Sequence, residues 1–296
     1  MAVMRAWLAV AMFVLGTGGC TDSRESAPAN ATPAAVAAPA PLEIGPAPDQ
    51  PVSELERARD WSLIDLDGIT ERGHLRVLVA PSRTHFETVD GHHHGRSVDA
   101  GVALATALGQ HSGRPVAAVF IETREDQLIP ALLAGKGDIA ANVLLTFVRD
   151  EQVAFAPPIV TGIRELVVTG PDQPLVSLED VGGRVIHVRK DSDHHASLVR
   201  LNAQLKSIHR PPARIVLEST IKTDEELLDK VNHGSIPAAL ADDYVFDRWT
   251  KAFPNITANR DVAVSQDGSL SWVTRKDAPK LTAFVKEFFS THRLTF

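Results

Sequence analysis

Short apolar runs alternate with amphipathic stretches from about residue 72 onward. Apolar runs bounded by turn residues indicate buried strands, and apolar residues that recur every three or four positions indicate helices. The pattern predicts strands at 75–79, 116–121, 139–143, 184–188, 214–217 and 238–241, and helices near 98–108, 128–133, 192–206, 224–231 and 243–251. Strands that alternate with helices imply parallel sheets covered on both faces, so the expected fold class is α/β.

The N-terminus has the pattern of a secretion signal. Arg5 is followed by an apolar run at 6–15 and by small residues at 16–19, immediately before Cys20. A helix that spans a bilayer needs about 20 apolar residues, so this run is too short to be one. Cys20 is the only cysteine of the sequence, which rules out an intramolecular disulfide.

The position of Cys20 resembles the lipobox of bacterial lipoproteins, in which this cysteine is lipidated and becomes the mature N-terminus. Thr17 departs from that pattern, which usually has Leu there. The resemblance implies that residues 1–20 are a signal peptide and that Cys20 anchors a periplasmic protein to the membrane. The residue directly after the cysteine is Thr21 rather than Asp, and this favours sorting of the lipoprotein to the outer over the inner membrane. A plain secretory signal with a chance cysteine is the alternative.

The segment 21–55 differs in composition from the rest of the chain. Seven Pro and nine Ala fall between residues 21 and 51, and large apolar residues are few. Such a segment cannot bury enough surface to offset its conformational entropy. We therefore expect a disordered tether between the anchor and the folded part.

Composition narrows the classes of function. The net charge is −7 at pH 7 and no basic stripe is present, so nucleic acid is not an expected partner. Three consecutive histidines at 92–94 raise the question of a metal site. Adjacent histidines on a turn splay apart, and no Cys or spaced carboxylate completes a tetrahedral set. We expect a solvated hairpin tip there, with neither metal nor cofactor.

Four motifs follow one another along the folded part. They are Leu75-Arg76-Val77, Gly95-Arg96-Ser97-Val98-Asp99, the stretch LIPALLAGKGD at 128–138, and Arg149 followed by Val153-Ala154-Phe155. In this order they resemble the extracellular solute-binding proteins of the polar amino-acid type. The resemblance covers about residues 73–292.

The resemblance implies a two-lobed periplasmic-binding-protein fold of type II, with parallel-rich sheets flanked by helices and two hinge strands. It places lobe one at 72–162 plus 262–296, and lobe two at 163–261. A small-molecule ligand, either an amino acid, a peptide or a muropeptide, would bind in the cleft between the lobes.

The second half has a narrower resemblance. Val185-Ile186-His187-Val188-Arg189, Phe253-Pro254-Asn255 and Trp272-Val273-Thr274-Arg275-Lys276 are similar to the regulatory domain of membrane-bound lytic transglycosylase F. In that family a muramidase-like domain with a catalytic Glu follows, and this sequence contains no such domain. We therefore expect no enzymatic activity.

Three functions remain open. The first is a ligand-sensing lipoprotein that acts with a separate transglycosylase. The second is the substrate-binding component of an ABC amino-acid importer, whose partner would be a permease. The third is part of a lytic transglycosylase whose enzyme domain is missing here.

The resemblance to solute-binding proteins also implies ligand-binding residues. Arg149 would hold the α-carboxylate of the ligand, because a guanidinium fork matches a carboxylate. The alternative is a surface arginine that pairs with Asp150 or Glu151. Asp242 or Asp243 would receive the ammonium group, although an acid at a helix start is also a favourable cap. We expect Arg149 and Asp242 to bind the two ends of a zwitterion.

Three further residues have two interpretations each. Thr146 either caps the helix that carries Arg149 or gives its hydroxyl to the ligand. Asn142 either approaches the ligand from the end of a strand or is a loop amide. Phe86 either covers the ligand with its ring or belongs to the core.

Ser192 is predicted to begin a helix. A helix N-terminus with free N–H groups and a hydroxyl suits an anionic group of a ligand. Asp191 and Asp193 flank Ser192, however, and would repel a carboxylate. The ligand preference is therefore expected to depart from that of ordinary amino-acid-binding proteins.

Overall fold

A computed structural model describes residues 61–292. The predicted signal peptide, Cys20 and the tether lie outside this range, as do the last four residues. Within it, no helix combines the length and the apolar character that crossing a bilayer requires.

A short helix precedes the first strand. Helix α1 (Leu66–Arg72) is capped by the carboxylate of Asp65, which accepts a hydrogen bond from the backbone N–H of Leu66. It ends at Gly73, whose φ of 78° is the left-handed conformation that glycine adopts most easily. Leu66 and Ile69 are buried. The apolar pattern predicts no element before residue 72, so this helix extends the first lobe toward the N-terminus.

The first lobe is built around a parallel core of strands. Its elements are β1 (His74–Val79), β2 (Glu87–Val89), β3 (His92–His94), α2 (Arg96–Ser112), β4 (Ala117–Glu122), α3 (Leu128–Leu133), β5 (Ile139–Leu144), α4 (Phe147–Gln152) and β6 (Val153–Phe155). Strand β1 lies between β4 and β5 and is parallel to both. This places the ends of β1 and β5 beside each other, where the loops that follow them border the second lobe.

Two long strands connect the lobes. Strand β7 (Val160–Thr169) leads into the second lobe, and β11 (Thr257–Arg275) returns from it. Between them lie β8 (Val185–Arg189), α5 (Asp193–Ser207), β9 (Arg214–Glu218), α6 (Asp224–Asn232), β10 (Ala238–Asp242) and α7 (Asp243–Trp249). Helix α8 (Pro279–Thr291) then packs its apolar side into the core of the first lobe.

Within residues 61–292, nine strands form one sheet, eight of them along a single hydrogen-bonded path. Its order is β4-β1-β5-β11-β7-β10-β8-β9, and β6 pairs with β11. Strand β11 is antiparallel to both β5 and β7, with several shifts of register along β7. The path therefore consists of two parallel-rich halves joined by two antiparallel hinge strands. The predicted α/β fold with two lobes and flanking helices is confirmed.

Each half has its own hydrophobic clusters. Leu75 and Trp272 belong to a cluster of the first lobe, whereas Ile186 belongs to a cluster of the second. Val262 and Ala263 of β11 pack in clusters of the second lobe. The lobe boundaries between residues 162 and 163 and between residues 261 and 262 stay a prediction. The contacts of Val262 and Ala263 place the first residues after 261 with the second lobe.

The motif LIPALLAGKGD ends in a buried ion pair. Asp138 accepts hydrogen bonds from the backbone N–H of Arg76 at 2.8 Å and from its Nη2 at 2.7 Å, and it also pairs with Arg72. The side chains of Asp138 and Arg76 are both 0% exposed. Removing one partner of such a pair leaves an uncompensated buried charge, which costs about 3–5 kcal/mol. Asp138 therefore holds the first lobe together and is not part of the cleft.

The three consecutive histidines form strand β3 of a hairpin. Its turn contains Asp90 and Gly91, with φ of 51° and 80°, as a two-residue turn requires. The predicted hairpin is confirmed, but His93 is not at a solvated tip, because its ring packs against Phe86 and Phe120. Among the described side chains, no group of three or more His, Cys, Asp or Glu could hold a metal ion.

Candidate functional site

A cleft of about 780 Å³ lies between the lobes. Its volume is in the range of small-molecule sites. Both hinge strands contribute to its wall, β7 with Ile163 and Glu165 and β11 with Leu270. The remaining wall comes from loops and helix ends of both lobes, so a ligand there would contact both.

Arg149 crosses the cleft from the first lobe to the second. Its Nη1 and Nη2 donate to Oδ2 and Oδ1 of Asp193 at 2.8 and 2.6 Å, and Nη1 also donates to the carbonyl oxygen of Leu144. Burial disfavours the charge of Arg149, but the hydrogen bonds and charge of Asp193 outweigh it and raise the pKa of Arg149. The alternative of a surface arginine paired within α4 is wrong. The guanidinium fork is engaged by a carboxylate of the opposite lobe.

Thr146 and Asn142 both line the cleft beside Arg149. Thr146 caps α4, since its hydroxyl oxygen accepts from the backbone N–H of Arg149 at 3.3 Å. Asn142 has a φ of 55°, a conformation that a non-glycine residue adopts at some energetic cost, often at functional sites. Its Nδ2 donates to Ser97 at 2.7 Å, whereas its buried Oδ1 has no partner among the described residues. Their direct roles toward a ligand stay predictions.

A second ion pair crosses the cleft in the opposite direction. Arg189, at the end of β8, donates from Nη2 to Oε2 of Glu125 at 2.5 Å and from Nε to Oδ1 of Asp224 at 2.8 Å. Oε1 of Glu125 accepts from the backbone N–H of Asp193 at 3.3 Å. The helix start that Ser192 was expected to offer to an anion is therefore filled by a carboxylate of the first lobe. Ser192 itself does not line the cleft, and its hydroxyl donates to the carbonyl oxygen of Arg189.

His194, in the first turn of α5, is surrounded by carboxylates. Its Nε2 lies 3.2 Å from Oδ1 of Asp242, and its Nδ1 lies 3.9 Å from Oδ1 of Asp224. Burial lowers the pKa of His194, but Asp224, Asp242 and Glu165 outweigh this and raise it to about 10. His194 is therefore charged at neutral pH and donates to Asp242. Asp242 lines the cleft as predicted, but one of its oxygens is already paired.

Two other predicted residues lie away from the cleft. The carboxylate of Asp243 accepts from the backbone N–H of Tyr244 at 2.9 Å and lies 3.6 Å from Arg164, so this residue supports the start of α7. Phe86 is 2% exposed and packs in the core of the first lobe. The predictions that Asp243 and Phe86 contact the ligand are not supported by these positions. His85 lines the cleft instead, and its Nε2 lies 2.9 Å from the hydroxyl of Tyr244.

Two carboxylates that no motif singles out also line the cleft. Glu165 is 6% exposed, and its Oε1 accepts from the hydroxyl of Ser197 at 2.9 Å. Glu225 is 1% exposed, and its Oε1 accepts from the N–H and the hydroxyl of Thr84 in the opposite lobe. Oε2 of each is buried and has no hydrogen-bond partner between residues 61 and 292. The sequence feature that could have pointed to Glu165 is its position as an acid directly before the apolar run 166–168.

The fold, with two lobes around a charged cleft, is that of the type II periplasmic binding proteins. Residues 75–294 match the family described as bacterial extracellular solute-binding proteins, family 3. The match covers most of the sequence, and the chain belongs to this family.

Two curated relatives are described as membrane-bound lytic murein transglycosylase F. The chain is 27% identical over 190 residues to the protein of Desulfosudis oleivorans, covering 63% of this chain and 39% of that protein. It is 25% identical over 220 residues to that of Saccharophagus degradans, covering 72% and 40%. The chain thus spans about two fifths of the length of these relatives.

Solved structures share the fold. A mutant of ArgBP from T. maritima has a TM-score of 0.61 at 19% identity, with 76% of this chain and 91% of that chain covered. An ancestral arginine-binding protein bound to arginine has a TM-score of 0.58 at 21% identity, covering 73% and 90%. The substrate-binding protein of an amino acid ABC transporter has a TM-score of 0.58 at 18% identity, covering 73% and 91%. At these identities the similarity establishes the fold alone.

Proposed function

We propose that this chain is a non-catalytic binding protein of the periplasm that holds a small polar ligand, amino-acid-like or derived from the cell wall, between its lobes. One observation carries the proposal: charged side chains of both lobes, among them Arg149 and Asp193, line the same cleft of about 780 Å³. A ligand that contacts both walls binds the closed arrangement of the lobes preferentially, so binding and hinge closure are coupled.

Sensing of cell-wall fragments is the role that we favour. The sequence similarity to transglycosylase F proteins supports it, because those proteins act on murein according to their description. In this role the ligand would be a muropeptide or a related amino-acid derivative. The partner would be a transglycosylase, and Cys20 would hold the protein at the membrane.

The substrate-binding component of an amino-acid importer is the second candidate. It is supported by the structural similarity to a substrate-binding protein of an amino acid ABC transporter. In this role the closed lobes would deliver the ligand to a permease. Ligand-stimulated uptake that depends on this chain would favour transport, whereas uptake that is unchanged by its deletion would favour sensing.

Thermal unfolding in the presence of candidate ligands tests the proposal. A ligand that binds only the folded state stabilises it by about 2.7 kcal/mol at a hundred times its dissociation constant. We expect at least one amino acid, amine, peptide or muropeptide to raise the melting temperature of the purified chain. The shift should shrink in Asp242→Asn, on the cleft wall, and persist in Asp247→Asn, an exposed acid of α7 that does not line the cleft.

Two results would contradict the proposal. If no compound of these classes raises the melting temperature, the binding function is wrong. If the chain releases soluble fragments from purified peptidoglycan, the non-catalytic part is wrong. If a ligand raises the melting temperature of wild type and of Asp242→Asn equally, Asp242 does not contribute to ligand binding.

A further inference from the structure

The charges on the cleft wall are not balanced. Eight Asp and Glu residues line it against three arginines. Two of these arginines are engaged by carboxylates, Arg149 by Asp193 and Arg189 by Glu125. The third, Arg200, donates to the hydroxyl of Ser197. With His194 counted as a further positive charge, acidic groups remain in excess.

Two of the three cleft arginines, and the helix start beside them, are already engaged by the protein's own acids, whereas the exposed Arg200 is held by the hydroxyl of Ser197. Both terminal nitrogens of Arg149 donate to Asp193, and the first N–H of α5 is directed at Glu125. To reach Arg149, a ligand carboxylate would have to displace Asp193 and would then lie beside the like charges of Asp193 and Glu125. Like charges at contact distance repel, and the repulsion is stronger where water is excluded.

In contrast, two carboxylates that could bind a cation each have an oxygen that accepts no hydrogen bond from the described residues. Oε2 of Glu165 and Oε2 of Glu225 are buried without a donor among the described residues, on side chains that line the cleft. A buried acceptor that lacks a donor is energetically costly, so it favours a ligand that brings one. Glu165 also pairs in register with Asp242 across β7 and β10, which adds a second carboxylate at the same place.

We propose that the cleft selects a small cationic ligand, an amine or a guanidine, whose charged nitrogen is bound at Glu165, and that a free carboxylate on the ligand is not required. This inference rests on the proposed function and specifies the ligand class of the same cleft. It departs from the zwitterion that the sequence leads us to expect, because Arg149 is paired with Asp193.

Protonation of Glu165 gives an additional readout. Burial raises the pKa of Glu165; the charge of His194 and the hydrogen bond from Ser197 oppose this rise, and Asp242 adds to it. A cation beside Glu165 favours the ionised form, so near and below the pKa of Glu165 binding should release a proton and strengthen as pH rises. Calorimetry in two buffers with different ionisation enthalpies detects that proton.

The experiment compares matched pairs of probes on the wild-type chain. Agmatine differs from arginine, and cadaverine from lysine, only by lack of the carboxylate. We expect the decarboxylated member of a pair to bind at least as tightly as the amino acid in isothermal titration calorimetry. A charge-assisted hydrogen bond is worth about 1.5–3 kcal/mol, so Glu165→Gln should weaken amine binding by about ten- to a hundredfold. Glu287→Gln, exposed on α8 away from the cleft, should not change it.

The outcomes separate this inference from the proposed function. Binding of arginine or lysine without binding of agmatine or cadaverine overturns the inference, as does stabilisation only by neutral or acidic ligands. In both cases the binding function stands. Failure of all four probes also overturns the cationic preference, while absence of any ligand in the thermal screen overturns the binding function as well. Equal agmatine affinity in wild type and Glu165→Gln shows that Glu165 is not the binding group. The comparison of probes on wild type needs no variant to fold.

Discussion

At the residue scale, His194 shows how the surroundings of a side chain decide its charge. Burial alone would keep this imidazole neutral, but Asp224, Asp242 and Glu165 raise its pKa to about 10, against 6.5 in an unfolded chain. The folded protein therefore binds this proton more tightly than the unfolded chain does. The resulting stabilisation is fully present below pH 6.5 and is lost as pH rises through about 10.

We expect the free energy of unfolding to fall between pH 6.5 and pH 10, by up to a few kcal/mol from this residue. Urea unfolding at several pH values in this range measures it. His194→Gln should flatten the profile, because the variant has no proton to lose there, whereas His195→Gln in the same helix should keep the wild-type slope. Identical slopes in wild type and His194→Gln would show that His194 is not the group that titrates.

Some cleft residues can be predicted from sequence and others cannot. Asp242 follows a predicted strand, Asn142 lies near the end of one, and Arg149 lies in a family motif; all three line the cleft. Glu125 and Glu165 belong to no motif. Their roles depend on side chains far away in sequence, Arg189 for the first and Ser197 for the second. A local pattern carries no information about such a contact.

At the element scale, the start of α5 determines what the cleft can bind. The helix begins at Asp193, which sets a carboxylate against Arg149 and directs the first N–H of the helix at Glu125. A residue without charge at this position would leave the Arg149 fork available. The preference of the cleft for or against a ligand carboxylate should therefore change with this residue.

We expect Asp193→Ala to strengthen the binding of arginine, relative to wild type, by about tenfold or more, since a charge-assisted hydrogen bond contributes about 1.5–3 kcal/mol. Agmatine, which has no carboxylate, should gain nothing comparable. The cost in stability should stay near 1 kcal/mol, because the pair is partly exposed. Calorimetry with both probes on wild type, Asp193→Ala and the control Asp150→Ala tests this. An unchanged ratio of the two affinities would contradict it.

Most of the elements that sequence patterns miss border the cleft or are short, but α8 (Pro279–Thr291), which is neither, is also absent from the predicted elements. The first half of β7 contains Thr161, Gly162 and Arg164, and it lacks a continuous apolar run because its residues are partly exposed. Strand β11 is 19 residues long with changes of register, so its apolar positions follow no single period. Buried strands such as β1 and β10 are predicted to within one or two residues, since most of their residues are apolar.

At the scale of the whole molecule, the lobes meet through polar contacts. Besides the two ion pairs, the indole N–H of Trp249 donates to the hydroxyl of Thr84 at 3.0 Å, and His85 contacts Tyr244. Polar contacts can be exchanged for water with less loss than apolar ones, because water satisfies the same groups. A hinged protein that must admit and release a ligand requires an interface of this kind.

At the same scale, the N-terminal pattern predicts where the molecule is located, and the last prediction concerns the lipobox-like Cys20. Each buried methylene of an acyl chain contributes about 0.8 kcal/mol, and stable anchoring needs two chains or more. The apolar run at 6–15 is too short to span the bilayer. We therefore expect wild type in the membrane fraction after a high-salt wash and Cys20→Ala in the soluble fraction.

Thr21→Ala, which leaves the cysteine in place, serves as the control and should fractionate with wild type. Metabolic labelling with palmitate should mark wild type and Thr21→Ala but not Cys20→Ala. Because salt removes proteins held by charge but not those held by acyl chains, the wash separates lipid anchoring from electrostatic attachment. Equal membrane retention of Cys20→Ala and wild type would mean that something other than a lipidated Cys20 holds the protein there, and the lipoprotein assignment would then be wrong.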